Sequence, residues 1–197
     1  MLQSFSDLIY ENNHALTTET CEEIIQRFRH DDRKAPGITT SGEVMPELKK
    51  SMDLGISDLD EWEGIDQTLY QSLAENLEKY SKQTTKITGQ PLWSSNIQDS
   101  GYNVKRYRPD DYYNWHIDCQ TYQNGWTRTV ACIWYLNAVE EGGETEFAFG
   151  HKVVPSTGKL ILFPATWNFP HRGLSPTKGN KYIITSFVLT NEETQHG

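Results

Sequence analysis

Cysteine is scarce in this chain of 197 residues: there are three, Cys21, Cys119 and Cys132. An odd count with no CxxC pair argues against a disulfide framework and a zinc knuckle. It fits a reducing, cytoplasmic setting. Long apolar runs are missing as well, so nothing approaches a membrane span and no membrane partner is expected. The opening residues Met1-Leu2-Gln3-Ser4-Phe5-Ser6-Asp7 lack the basic start and apolar core of a signal peptide. Positive charge is in deficit: 18 Lys and Arg against 27 Asp and Glu leave a formal net charge of -9. Proteins that grip a phosphate backbone carry a basic face, so the balance argues against a nucleic-acid partner. Lys49-Lys50 and Lys105-Arg106-Arg108 are the local basic patches. No internal repeat, low-complexity tract or linker interrupts the chain, and residues 1–197 read as a single domain.

What is present is aromatic and β-forming. Aromatics make up 12% of the residues, with 6 Trp and 10 Tyr, which suits a β core and an aromatic-lined cleft. Residues 1–90 read as helical support and a covering segment, residues 91–190 as the β core. Thr17 and Thr18 are helix-cap types ahead of Cys21, Ile24, Ile25 and Phe28, whose spacing predicts an amphipathic helix over 18–30. Trp62, Ile65, Leu69, Leu73, Leu77 and Tyr80 recur at steps of three or four and predict a second helix over 59–82, packed on a sheet. Between them, 31–57 is loop chemistry with a short strand near 49–54. After Gly89-Gln90-Pro91 come short β-rich runs at 102–107, 113–119, 128–136, 145–147, 152–154, 159–163, 167–172 and 181–189, separated by Gly or Pro. The fold class expected is mainly β with flanking α-helices, around a double-stranded β-helix core: a cupin-like jelly roll.

The chemistry centres on Tyr113-Asn114-Trp115-His116-Ile117-Asp118-Cys119. Read as a strand, it puts His116 and Asp118 on one side. An isolated His-x-Asp is ordinarily a surface pair. Joined by a second histidine, it becomes the two-His, one-carboxylate face that holds non-haem Fe(II) and leaves positions open. Of the six histidines, His171 has the most informative surroundings, following Leu160-Ile161-Leu162-Phe163-Pro164 and Trp167. Lys181 lies ten residues further on, at the head of an alternating strand that puts it on one face with Ile183, Thr185, Phe187 and Leu189. A lysine on such a face either needs an anion or snorkels to water.

His116-x-Asp118, His171 after 52 intervening residues and Lys181 resemble the Fe(II)- and 2-oxoglutarate-dependent dioxygenases, and more narrowly their prolyl 4-hydroxylase-like branch. The branch's pattern is echoed by Arg128 to Tyr135-Leu136-Asn137, by Gly142-Gly143-Glu144-Thr145-x-Phe147, by Gly158 to Pro164, and by His171-x-Gly173-x-x-Pro176-x-x-x-Gly179-x-Lys181-Tyr182. The resemblance covers roughly residues 100–190 and implies definite roles. His116, Asp118 and His171 would hold Fe(II). Lys181 would meet the 5-carboxylate of 2-oxoglutarate, Tyr135 would hydrogen-bond the same carboxylate, and Tyr107 would lie against the cosubstrate. Tyr113, Arg128 and Phe187 would line the substrate side, Phe187 replacing a tryptophan frequent in the branch and Ala131 a threonine. Segments 31–57 and 120–126 would be lids. O2 would be the co-substrate and ascorbate would support turnover. The implied reaction hydroxylates a C–H bond, foremost of a prolyl residue in a peptide or protein, and releases succinate and CO2. A hydroxylase of a free amino acid or small metabolite would keep the chemistry. A non-catalytic cupin-like binding module, or a zinc hydrolase using the same three side chains, would not.

Overall fold

The computed structural model describes residues 2–91, 93 and 96–191. In chain order its elements are β1 (Tyr10–Asn12), α1 (Thr18–His30), β2 (Ala35–Pro36), β3 (Met52–Gly55), α2 (Glu63–Thr88), β4 (Ile97–Asp99), β5 (Asn103–Tyr107), β6 (Tyr113–His116), β7 (Thr127–Tyr135), β8 (Thr145–Phe147), β9 (Lys152–Val153), β10 (Lys159–Pro164), β11 (His171–Gly173) and β12 (Lys181–Thr190). Short 3-10 turns precede β1 and α2. The strands form two sheets. The major one runs β1-β10-β7-β12-β5-β3-β2, with β4 also paired to β12; the minor one runs β6-β11-β8-β9. Among the described residues every strand pairing is antiparallel, and the two facing sheets make a jelly roll. His196 lies outside the described residues.

Both helices form where the apolar spacing places them. Thr17 caps α1 by accepting from the N–H of Thr20 at 3.2 Å, and Cys21, Ile24, Ile25 and Phe28 are its buried stripe. The second helix extends past the expected 82 to Thr88, with the Thr84 and Thr88 hydroxyls bonded to the Tyr80 and Thr84 carbonyls. It stops at Gly89, which takes φ 78°.

Alternation on β7 divides the core in two. Val130, Cys132 and Trp134 point outward and meet Leu69, Leu73 and Tyr80 of α2 and Ile24 and Phe28 of α1. Burying each of those leucines stabilises the fold by about 2 kcal/mol. The polar tips in this layer are satisfied: Trp134 Nε1 donates to Ser72 Oγ at 3.1 Å and Tyr80 Oη to the Leu8 carbonyl at 2.9 Å. Ala131, Ile133 and Tyr135 point the other way, between the sheets, with Phe147, Phe163, Phe169 and Ile183. Residues of the first 90 complete the major sheet, since β1 pairs β10 and β3 pairs β5.

Two strands are shorter than the sequence suggests. The run 113–119 is strand only to His116, and 167–172 is strand only from His171. His116 pairs with His171 in an antiparallel register and the ladder goes no further, while on the other side of β11 the Pro170 carbonyl accepts from the Ala148 N–H at 2.9 Å. Asp118 therefore lies beyond the strand end. Thr166 to Phe169 turn instead, with Phe169 N–H bonded to the Thr166 carbonyl at 3.1 Å.

Candidate metal centre

The cross-strand pair His116–His171 brings the two imidazoles together at the mouth of the roll, ring centroids 4.2 Å apart. Each Nδ1 lies beside a main-chain carbonyl: His116 with Asn114 at 2.8 Å and His171 with Phe169 at 3.1 Å. A ring that donates from Nδ1 keeps the lone pair on Nε2. Both Nε2 atoms face Asp118, whose Oδ1 is 3.8 Å from His116 and Oδ2 3.5 Å from His171. One ligand atom from each residue falls within 4.8 Å of the others. Desolvation, and then the neighbouring His171, push the His116 imidazolium down to about 3, so this nitrogen is an unprotonated donor at neutral pH. Tyr113 stacks on the His116 ring at 3.5 Å and 12°. Two imidazoles and one carboxylate on one side suit a divalent metal of the nitrogen–oxygen-loving class, with the opposite side open.

These side chains open into a cavity of about 370 Å³ lined by residues of both sheets. Lys181 is on its wall and only 2% exposed. Its ammonium makes no hydrogen bond or ion pair among the described residues; it sits 5.6 Å from the ring centres of both Tyr107 and Tyr135. Burial pushes it down to about 8, against the pull of Glu144. A buried cation without an anionic partner fits a carboxylate-bearing ligand beside the metal. The donor set and this cation together satisfy what a ferrous ion with 2-oxoglutarate would require.

The remaining expected site residues are brought to the same place. Tyr107, Tyr113, Arg128 and Phe187 line the cavity. Arg128 stacks on the Phe187 ring at 4.0 Å and donates from Nε to Tyr122 Oη at 2.9 Å. Tyr135 is buried behind the wall, and its hydroxyl bonds Thr145 Oγ1 at 2.7 Å; Thr145 is the side chain that reaches the cavity. Lys181, Ile183, Thr185 and Phe187 share the face expected of them, whereas a register shift after Val188 takes Leu189 out of it. Both expected lid segments contribute, through Ile38 to Thr40 and through Tyr122.

Reading the sequence did not find a buried ion cluster on the cavity wall. Lys49 and Lys105 both bond the same oxygen of Asp53, at 2.7 and 2.8 Å. The available signal was the alternation of Asn103, Lys105 and Tyr107 on one face, together with opposite charges four apart at 49 and 53.

Residues 102–189 match the model of the 2OG-Fe(II) oxygenase superfamily. No curated protein sequence matches the chain. Among solved structures, the chain is similar to the viral collagen prolyl hydroxylase of Paramecium bursaria Chlorella virus-1 in its 2OG complex. The TM-score is 0.70 at 21% identity, covering 93% of this chain and 96% of that one. A Pseudomonas putida prolyl-4-hydroxylase gives a TM-score of 0.62 at 19% identity, with 93% and 95% covered. A prolyl hydroxylase from Trichoplax adhaerens, in complex with a hypoxia inducible factor peptide fragment, gives 0.71 at 17% identity, with 95% and 86% covered. At these identities the likeness is one of fold.

Proposed function

We propose that this protein is a 2-oxoglutarate-dependent dioxygenase that hydroxylates a prolyl residue of a peptide or protein; residues 102–189 match the model of the 2OG-Fe(II) oxygenase superfamily. The observation that carries this reading is the meeting of His116, Asp118, His171 and the unpaired Lys181 ammonium in one cavity. It is supported by the prolyl hydroxylases among the structures of similar fold, one of them holding a peptide.

His116 Nε2, an Asp118 oxygen and His171 Nε2 would hold the ferrous ion, and Lys181 would pair with the 5-carboxylate of 2-oxoglutarate. Bound together with O2, iron and 2-oxoglutarate supply an oxidant able to insert oxygen into an unactivated C–H bond, with succinate and CO2 released. The chain's own contribution is placement and dryness. The main-chain carbonyls of Asn114 and Phe169 fix both imidazole tautomers. Tyr135, through Thr145, stiffens the wall behind the cosubstrate. Tyr107 closes that end with an aromatic ring beside the ammonium. Tyr113, Arg128 and Phe187 frame the substrate side, where flat faces suit the pyrrolidine ring and the guanidinium donates to peptide carbonyls. Ascorbate would support turnover, and a cytoplasmic site of action belongs to the same proposal.

The test is a screen of proline-containing peptides with Fe(II), 2-oxoglutarate and ascorbate. A peptide gaining one oxygen on proline, in step with succinate, supports the reading. Succinate formed only with free amino acids would replace the peptide substrate by a small one.

A further inference from the structure

We propose that Lys49, Asp53 and Lys105 form a carboxylate-binding subsite on the cavity wall, and that the substrate carries a carboxylate close to the carbon it offers for hydroxylation. This rests on the dioxygenase reading and narrows its substrate class.

The cluster is built by strand pairing. Asp53 on β3 lies directly opposite Lys105 on β5. Lys49 stands four residues before Asp53, tied to β6 by the bridge to Tyr113 and by main-chain bonds between Lys50 and Tyr112. Asp53 Oδ2 accepts from both ammonium groups and Oδ1 from Ser51 Oγ at 2.7 Å. The Lys49, Asp53 and Lys105 side chains are 2%, 9% and 12% exposed. Two cations thus share one carboxylate in a nearly dry wall, an excess of one positive charge. Buried charge is costly unless matched. Lys49 gives a second bond to the Ile38 carbonyl at 2.8 Å. Lys105 makes only its bond to Asp53 among the described residues, so two of its three N–H donors are uncommitted.

The missing anion is not supplied by the metal and its cosubstrate. A ferrous ion, the Asp118 carboxylate, dianionic 2-oxoglutarate and the Lys181 ammonium sum to zero. Arg128, on the same cavity, also has no carboxylate partner among the described residues. Asp58 reaches the rim but is exposed, where water screens it. A chain with a formal net charge of -9 therefore lines its cavity with cations left over once the cofactors are counted. The one component still to come is the substrate. The carboxylate is either an Asp or Glu side chain next to the reacting residue or that residue's own C-terminal group; the chemistry is the same.

The subsite is tested by binding, with turnover measured separately. Protein loaded with Mn(II) and 2-oxoglutarate under argon is titrated with a peptide holding proline beside glutamate, the same peptide with glutamine, and the glutamine peptide shortened to end in proline, as free acid and as amide. We expect at least one carboxylate-bearing peptide to bind ten-fold or more tightly than its neutral counterpart. Whether it is the glutamate or the free-acid peptide identifies the carboxylate's source. Lys105→Met should remove the preference, and Lys105→Arg should retain it. Because Lys105→Met leaves Lys49 and Asp53 as a one-to-one pair, the melting temperature and the Kd for 2-oxoglutarate should not worsen. Equal binding of charged and neutral peptides overturns the proposal. So does a loss of 2-oxoglutarate affinity in Lys105→Met, which would assign the lysine to the cosubstrate, or a large fall in melting temperature, which would make it structural. A carboxylate preference without succinate release upholds the subsite and removes the reaction. Succinate release with equal efficiency from charged and neutral peptides does the reverse.

Discussion

Replacing Lys181 by methionine changes charge while nearly keeping volume, so packing around the side chain is preserved. The ammonium is 2% exposed, with aromatic rings on two sides and no bonded partner among the described residues. In the proposed complex it makes a charge-assisted bond in a site with little water. Such bonds contribute about 1.5–3 kcal/mol, and stranding a buried charge costs about 3–5 kcal/mol. Taking about 3 kcal/mol, at 1.4 kcal/mol per decade, the Kd and KM for 2-oxoglutarate should rise roughly a hundred-fold. The metal affinity should hold, since Lys181 is not among the ligands. Calorimetry with Mn(II)-loaded protein gives the Kd, and succinate release gives the KM. Without ligand the variant should melt at a higher temperature than wild type, because a desolvated charge has gone.

The pH dependence of wild type follows from the same residue. Burial holds Lys181 at about 8, against 10.5 for a free lysine, with Glu144 partly opposing. Between those values the unfolded chain binds the proton and the folded chain does not. Ligand-free stability should therefore rise with pH over that window, while 2-oxoglutarate binding weakens above about 8 as the cation is lost. Lys49 is also held at about 8, so the Lys181 share is the part that Lys181→Met abolishes. An unchanged 2-oxoglutarate KM in that variant, within two-fold, would refute the assigned role.

Removing one metal ligand, as in His171→Ala or Asp118→Ala, should weaken Mn(II) binding by more than about a hundred-fold, read by calorimetry, given that even supporting residues behind a ligand are worth 10–100-fold. Gly158→Ala should destabilise by about 2–3 kcal/mol and lower Tm by roughly 5–10 °C; Gly158 has φ 79° and a Cβ there would lie 2.2 Å from the Leu16 carbonyl oxygen. Thiol titration of the native protein should count one reactive cysteine, the exposed Cys119, with Cys21 and Cys132 responding only after denaturation; burial raises both of their pKa values, that of Cys21 to about 11.

Much of this architecture was legible in the residues because periodicity reports burial. The stripe from Ile65 to Tyr80 and the alternation of β7 each named the surface they pack on. Lys181 was legible as well, since a lysine among Ile183, Thr185 and Phe187 stands out against its face. The pairing of His116 with Asp118 was reached by an argument only half right: alternation holds to His116, and Asp118 returns to the site from beyond the strand. The partner strand itself begins only at His171, and local pattern does not reveal which strand will be the partner. The same limit hid the ion cluster. Lys49 and Asp53 sit in a stretch that reads as loop, and their link to Lys105 exists only once β3 has paired with β5. Likewise, that the Tyr135 hydroxyl bonds Thr145 depends on which sheet each belongs to.

The most direct measurement is succinate formed from 2-oxoglutarate by purified protein with a proline-containing peptide, comparing wild type with Asp118→Ala and Lys181→Met. Wild type should form succinate only when Fe(II) and O2 are both present, in step with oxygen gained by the peptide. Asp118→Ala should form none, and Lys181→Met should recover only at high 2-oxoglutarate. Succinate formation that survives loss of Asp118, or that is absent from wild type across the peptide set and with free amino acids, would contradict the site described above.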